Sequence, residues 1–68
     1  MKKASYKKLW KLLIDKDIKK KTLAEMAHVS VSTLAKMNRG ESMNVDVLVR
    51  ICSVLDCTMN DIMELVEP

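Results

Sequence analysis

The sequence predicts an all-α fold, a compact bundle of five helices. Three observations predict it. Apolar residues recur at helical spacing along nearly the whole chain, as in Tyr6, Leu9, Trp10, Leu13 and Ile14. β-branched residues are scattered, and no alternating run marks a half-buried strand. The 68 residues include one Gly, one Pro and no Phe, and 49% are hydrophobic, which suits one domain with a small core.

The first helix is expected from about Tyr6 to Lys16, with Ser5 as its N-cap. Its buried stripe is Tyr6, Leu9, Trp10, Leu13 and Ile14, with Lys7, Lys8 and Lys11 outside and Trp10 in the core. Ile18 plugs into the core before a second helix that begins near Lys20. There Leu23, Met26 and Ala27 form the stripe, and Ala24 is small where two helices must cross closely. His28 breaks the stripe, Val29 anchors the turn, and Ser30 caps a third helix, about Val31 to Asn38. Leu34 and Met37 give that helix its buried side, while Ser32, Ala35, Lys36 and Arg39 fall opposite. Gly40 suits a left-handed stop.

A loop then leads to Asn44, the N-cap of a fourth helix whose first turn holds Asp46. Val47, Leu48, Ile51, Cys52 and Leu55 form its apolar face. Thr58 to Asp61 resembles a capping box that opens a fifth helix carrying Ile62, Met63, Leu65 and Val66.

Charge is polarised although the net value is only +3. Residues 1–40 carry eleven Lys or Arg against three acids, and residues 41–68 carry one Arg against six acids. One basic side suits a nucleic-acid partner, and solubility alone does not explain the crowding. Lys19, Lys20 and Lys21 oppose the dipole at the start of the second helix. Either they keep a loop hydrated, or they and the helix N–H groups hold a phosphate, which is the favoured reading.

Cys52 and Cys57, five residues apart, are expected on different sides of a helix turn or its end, as partly buried reduced thiols. Too few ligands surround them for a metal site, and no metal or cofactor is expected. No apolar run approaches the ~20 residues of a membrane span, and Met1-Lys2-Lys3 leads directly into an amphipathic helix rather than a signal peptide. The lone His28 has no nucleophile and acid beside it in sequence, and no glycine-rich phosphate loop occurs, so an enzyme is not expected.

The stretch from Leu23 to Gly40 resembles the Cro/C1-type (lambda-repressor-like, XRE family) helix-turn-helix. That family's pattern is similar to Leu-Ala-x-x-Ala-Gly-Val-Ser-x-Ser-Thr-Ile-x-x-Ile-x-x-Gly. Leu23, Ala24, Ala27, Val29, Ser30, Ser32, Thr33 and Gly40 match it, with Leu34 and Met37 in the apolar slots. With its flanks, the resemblance covers about Tyr6 to Val66. His28 stands where the family usually has Gly, at a turn residue that tends to need positive φ. Leu13 and Asn38 stand where many members carry an Arg and a Glu joined as an ion pair, so both charges are absent together.

The resemblance implies a single helix-turn-helix domain over 1–68, with the motif at about 20–38, that inserts the third helix (about 31–38) into the major groove. It implies a sequence-specific regulator of transcription, a repressor, bound to double-stranded DNA in the cytoplasm. Val31, Ser32 and Lys36 match family positions that reach base edges, and Ala35 or Val31 suits a thymine methyl. Lys20, Lys21, Thr33 and Arg39 are the expected phosphate contacts, with Lys2 and Lys3 as a flexible arm. A homodimer through the C-terminal helix is one expectation for the apolar residues there, and closure of the core is the other. No small-molecule ligand is evident. The alternative function is a protein-interaction module of the same fold, an antirepressor or accessory partner, which would not need the basic face.

Overall fold

Five helices form where the apolar stripes place them, and a short ribbon that the stripes do not show ties residues 3–5 to residues 64–66. The computed structural model describes residues 1–67. Its elements are β1 (Lys3–Ser5), α1 (Lys7–Asp15), α2 (Lys20–Ala27), α3 (Val31–Asn38), α4 (Val45–Leu55), α5 (Met59–Ile62) and β2 (Glu64–Val66). β1 and β2 pair antiparallel, with Ala4 opposite Leu65.

The core draws at least one side chain from every helix. Leu9 and Leu13 come from α1, Leu23, Ala24 and Ala27 from α2, Leu34 and Met37 from α3. Leu48, Ile51 and Leu55 come from α4, Ile62 from α5, and Tyr6 from just before α1. Full burial of a Leu or Ile contributes about 1.5–3 kcal/mol, and Leu9, Leu23, Ile51 and Ile62 are all fully sealed. Among the described residues no charged side chain is buried, so apolar packing dominates the core.

α1 to α4 stop in one repeated way, while α5 runs into an extended Met63. Asp17, His28, Gly40 and Asp56 are left-handed, with φ of 57°, 56°, 78° and 52°. In each case the next residue donates its N–H to the carbonyl five positions back. These bonds run from Ile18 to Leu13, Val29 to Ala24, Glu41 to Lys36 and Cys57 to Cys52, at 2.9–3.1 Å. Such closures satisfy helix-end carbonyls and turn the chain sharply back. Ile18, Val29 and Cys57 then pack half-buried against the core. Asp and His tolerate this conformation better than most side chains, at some cost relative to glycine.

Helix starts are closed by side chains at three of the expected places. Ser30 Oγ accepts the Thr33 N–H at 3.0 Å, and Asn44 Oδ1 accepts the Asp46 N–H at 2.8 Å. Asp61 reaches back to accept the Thr58 N–H at 2.9 Å and its hydroxyl at 3.1 Å. These bonds hold the Asp61 carboxyl below the ordinary value of 3.8.

Several expectations are corrected. Ser5 lies in β1 rather than capping α1, whose N-cap is Tyr6 without a side-chain bond. Lys3 is a strand residue, not part of a flexible arm, because its backbone pairs with Val66. Ile14 is 77% exposed and Met26 is exposed, since α1 and α2 each bury a narrower stripe than their apolar positions offer. α5 ends at Ile62, and Leu65 and Val66 continue as strand. The C-terminal apolar residues therefore divide: Ile62 closes the core, Met63 and Val66 are half-buried, and Leu65 is exposed. Cys52 and Cys57 are brought together rather than apart, because left-handed Asp56 folds Cys57 back onto the last turn of α4. Burial first, then the Cys52 thiol, pushes the Cys57 thiol up to about 11.

Two outcomes test this account. His28→Gly relieves the left-handed strain and raises Tm, whereas the β-branched His28→Val destabilises the fold by about 1–3 kcal/mol in thermal denaturation. Because the Asp61 pKa is lowered by folding, its stabilisation is present above pH 3.8 and is lost as pH falls below it. A series of melts from pH 7 to pH 3 should show this acid loss, and Asp61→Asn should lessen it.

Candidate nucleic-acid interface

Two helix N-termini and one outward helix face make up the surface that the sequence singles out. α2 begins at Lys20 after an extended N-cap, Lys19, with no side-chain cap and no acid in its first turn. Its first backbone bond runs from the Leu23 N–H to Lys19, so the N–H groups of Lys20, Lys21 and Thr22 have no partner inside the helix. Lys20 and Lys21 are exposed beside these donors. Positive side chains and positive helix dipole thus coincide, an arrangement that favours an anion.

The turn to α3 is held from two directions. His28 breaks α2, and its carbonyl accepts a 3.3 Å hydrogen bond from Arg50 of α4. A 2.9 Å ion pair with Asp46, one turn earlier, orients the same guanidinium. Ser30 then fixes the first turn of α3, its hydroxyl lying 2.8 Å from that of Thr33.

Leu34 and Met37 seat α3 in the core. Val31, at 58% exposure, and Ser32, Ala35 and Lys36 all face outward. No acidic residue occurs in α3, and Lys36 in the last turn complements the helix dipole. Short side chains at Ser32 and Ala35 leave the backbone open to close approach.

The structure brings the four expected base-reading residues onto one helix, but the four expected phosphate residues are dispersed. Thr33 is half-buried, and its hydroxyl is engaged with Ser30. Arg39, just past α3, forms a 2.7 Å ion pair with Glu41 across the left-handed Gly40. Lys20 lies with its ammonium 4.5 Å from the centre of the Trp10 ring. Neither the role of Glu41 nor the exposure of Trp10 follows from helical spacing. The Arg-Gly-Glu run offered a signal for the first, because a left-handed Gly brings its two neighbours to one side.

A profile of the Cro/C1-type helix-turn-helix DNA-binding domain matches residues 8–68. The chain belongs to this family. It is also similar to the crystal structure of the transcriptional regulator VanUg, with a TM-score of 0.93 and 46% sequence identity over 98% of this chain and 89% of that one. No curated protein matches the chain.

As a Cro/C1-type domain it solves two departures from the family pattern locally. His28 adopts the left-handed turn usually given to Gly, supported by the Arg50 bond to its carbonyl. Leu13, in place of a charged residue, is buried in the core, and Asn38 is exposed, so neither position leaves a buried charge. Among the described residues no three His, Cys, Asp or Glu side chains cluster closely enough to hold a metal ion. Among the described residues no helix is long and apolar enough to cross a membrane.

Proposed function

We propose that the protein is a sequence-specific regulator of transcription, a repressor, that reads the major groove of double-stranded DNA with α3. The outward face of α3 carries this reading: short side chains, one lysine, no acid, and closure at both ends by Ser30 and Gly40. A free solvated helix face gains nothing from such a composition, whereas a groove-bound one does. Lys36 donates to guanine O6 and N7, Ser32 hydrogen-bonds either kind of base edge, and Val31 and Ala35 pack on thymine methyl groups.

Lys20 and Lys21, with the open N–H groups of α2, bind one phosphate region. Thr33 and Arg39 bind another, Arg39 after exchanging Glu41 for a phosphate oxygen. Repression asks only that the site be occupied, and the VanUg likeness supports regulation of transcription. Two copies, paired through the C-terminal apolar residues where Leu65 stands exposed, present α3 to half-sites about one DNA turn apart. A DNA target and the unbridged Cys52 and Cys57 suit the cytoplasm.

Selection of bound sites from random duplex DNA tests this function. An enriched, near-palindromic sequence supports it. The absence of any affinity, even at low salt, overturns it and favours a protein-interaction role. Affinity should fall by about 0.9 log units per log unit of salt for each phosphate neutralised. Lys36→Ala should cost about 1–3 kcal/mol on the selected site and relax its sequence preference, whereas Lys21→Ala should weaken all sequences alike. Glu41→Gln, by releasing Arg39, should tighten binding about two- to five-fold in a fluorescence-anisotropy titration, the scale of an exposed ion pair.

A further inference from the structure

Trp10 packs against the edge of the core without being sealed in it. It sits on α1 among residues whose buried members are Leu9 and Leu13, yet it is only half-buried. Over its ring lies the ammonium of Lys20, the first residue of another helix, 4.5 Å from the ring centre. Trp10 also lines a crevice with Lys7, Arg39 and Glu64.

The position of Lys20 needs a physical cause. A lysine at a helix N-terminus is repelled by the dipole, and α2 has two lysines in its first turn with no acid to offset them. Left free, the long side chain would swing away from the helix end. The indole face attracts the ammonium and restrains it against α1, on the residue that opens α2 and its unpartnered N–H groups. A cation held in this way loses less side-chain freedom when an anion arrives.

We propose that Trp10 is a positioning residue of the DNA-binding surface, holding Lys20 ready for a phosphate of the duplex. The inference rests on the DNA-binding reading above. It makes α1 part of the interface through a residue that the helical stripe assigns to the core.

Trp10 is the only tryptophan, so its fluorescence reports directly on this site. Five proteins should be titrated with the selected duplex: wild type, Trp10→Phe, Trp10→Leu, Lys20→Met and the double variant of the last two. Trp10→Leu combined with Lys20→Met closes a double-mutant cycle. The wild-type emission should change as duplex saturates the protein. Trp10→Leu should weaken binding about two- to five-fold for every sequence tested, the scale of one exposed cation–aromatic contact. Trp10→Phe should restore much of that loss, and in the Lys20→Met background Trp10→Leu should have no further effect. Unchanged emission at saturation, full affinity in Trp10→Leu, or an equal loss in the Lys20→Met background each overturns the inference while leaving DNA binding intact. Should Trp10→Leu fail to fold, the emission change and the Trp10→Phe titration still decide: full wild-type affinity in Trp10→Phe with unchanged emission overturns it. Failure of the wild type to bind any duplex overturns the DNA-binding reading itself.

Discussion

The left-handed helix stop is the constraint on which the rest of this structure depends. Four of them, at Asp17, His28, Gly40 and Asp56, divide 68 residues into short helices that pack on one core. Each carries a backbone bond reaching five residues back, so direction is fixed within a single turn and without a long loop. The stop at His28 has the greatest consequence. It sets the angle between α2 and α3, and hence where Leu34 and Met37 seat α3 and which of its residues remain outside. Arg50 reinforces it from α4 through the His28 carbonyl, while Asp46 keeps Arg50 in place. Only one of the four stops uses glycine, so some conformational strain is distributed over the other three and is offset by the half-buried Ile18, Val29 and Cys57 that follow them.

Electrostatics on the basic side runs against stability. Lysines at the start of α2 oppose the helix dipole, and no acid relieves them. Exposed ion pairs contribute little, so the Arg39–Glu41 pair is no brace for the fold. The same holds for Lys20 on Trp10: the contact is weak beside the burial of Leu9 or Leu23, but it decides where one charge sits. Packing provides the fold here, and the charged contacts arrange the surface.

Much of this was legible in the sequence wherever a helical period or a local cap carried the information. The bounds of α2 and α3, the caps at Ser30 and Asn44 and the positive φ at Gly40 follow from neighbours within five residues, and the positive φ at His28 follows from the family pattern. What the sequence hides is non-local or depends on a break in periodicity. The β1–β2 ribbon joins residues about sixty apart and has no alternating pattern, because three-residue strands are too short to show one. Asp17 and Asp56 are left-handed with no glycine to announce it, so the convergence of Cys52 and Cys57 is invisible to a reading that continues the helix. Ile14 illustrates the opposite failure: its spacing fits the stripe, but no neighbouring element covers that edge of α1, and it is exposed. On α3, the shared outward face of Ser32, Ala35 and Lys36 is a consequence of period, whereas Val31 stands one turn before buried Leu34 and its exposure depends on tertiary packing. The engagement of Arg39 with Glu41 and of Lys20 with Trp10 depends on tertiary approach.

The division of labour within α3 explains how such a small domain keeps its fold independent of what it reads. Only Leu34 and Met37 of its eight residues are buried, and its ends are closed by Ser30 and Gly40, which lie outside the helix. Val31, Ser32, Ala35 and Lys36 carry little of the packing, and changes there cost the core little. Val31 shows the consequence most clearly. An apolar side chain 58% exposed at the first position of a helix gains nothing from water, and a polar residue would serve the free protein better. Its burial against an apolar partner surface is worth about 25 cal/mol per Å² removed from water. On the major-groove reading that surface is a thymine methyl, which makes Val31 a selector of bases rather than a defect of the fold.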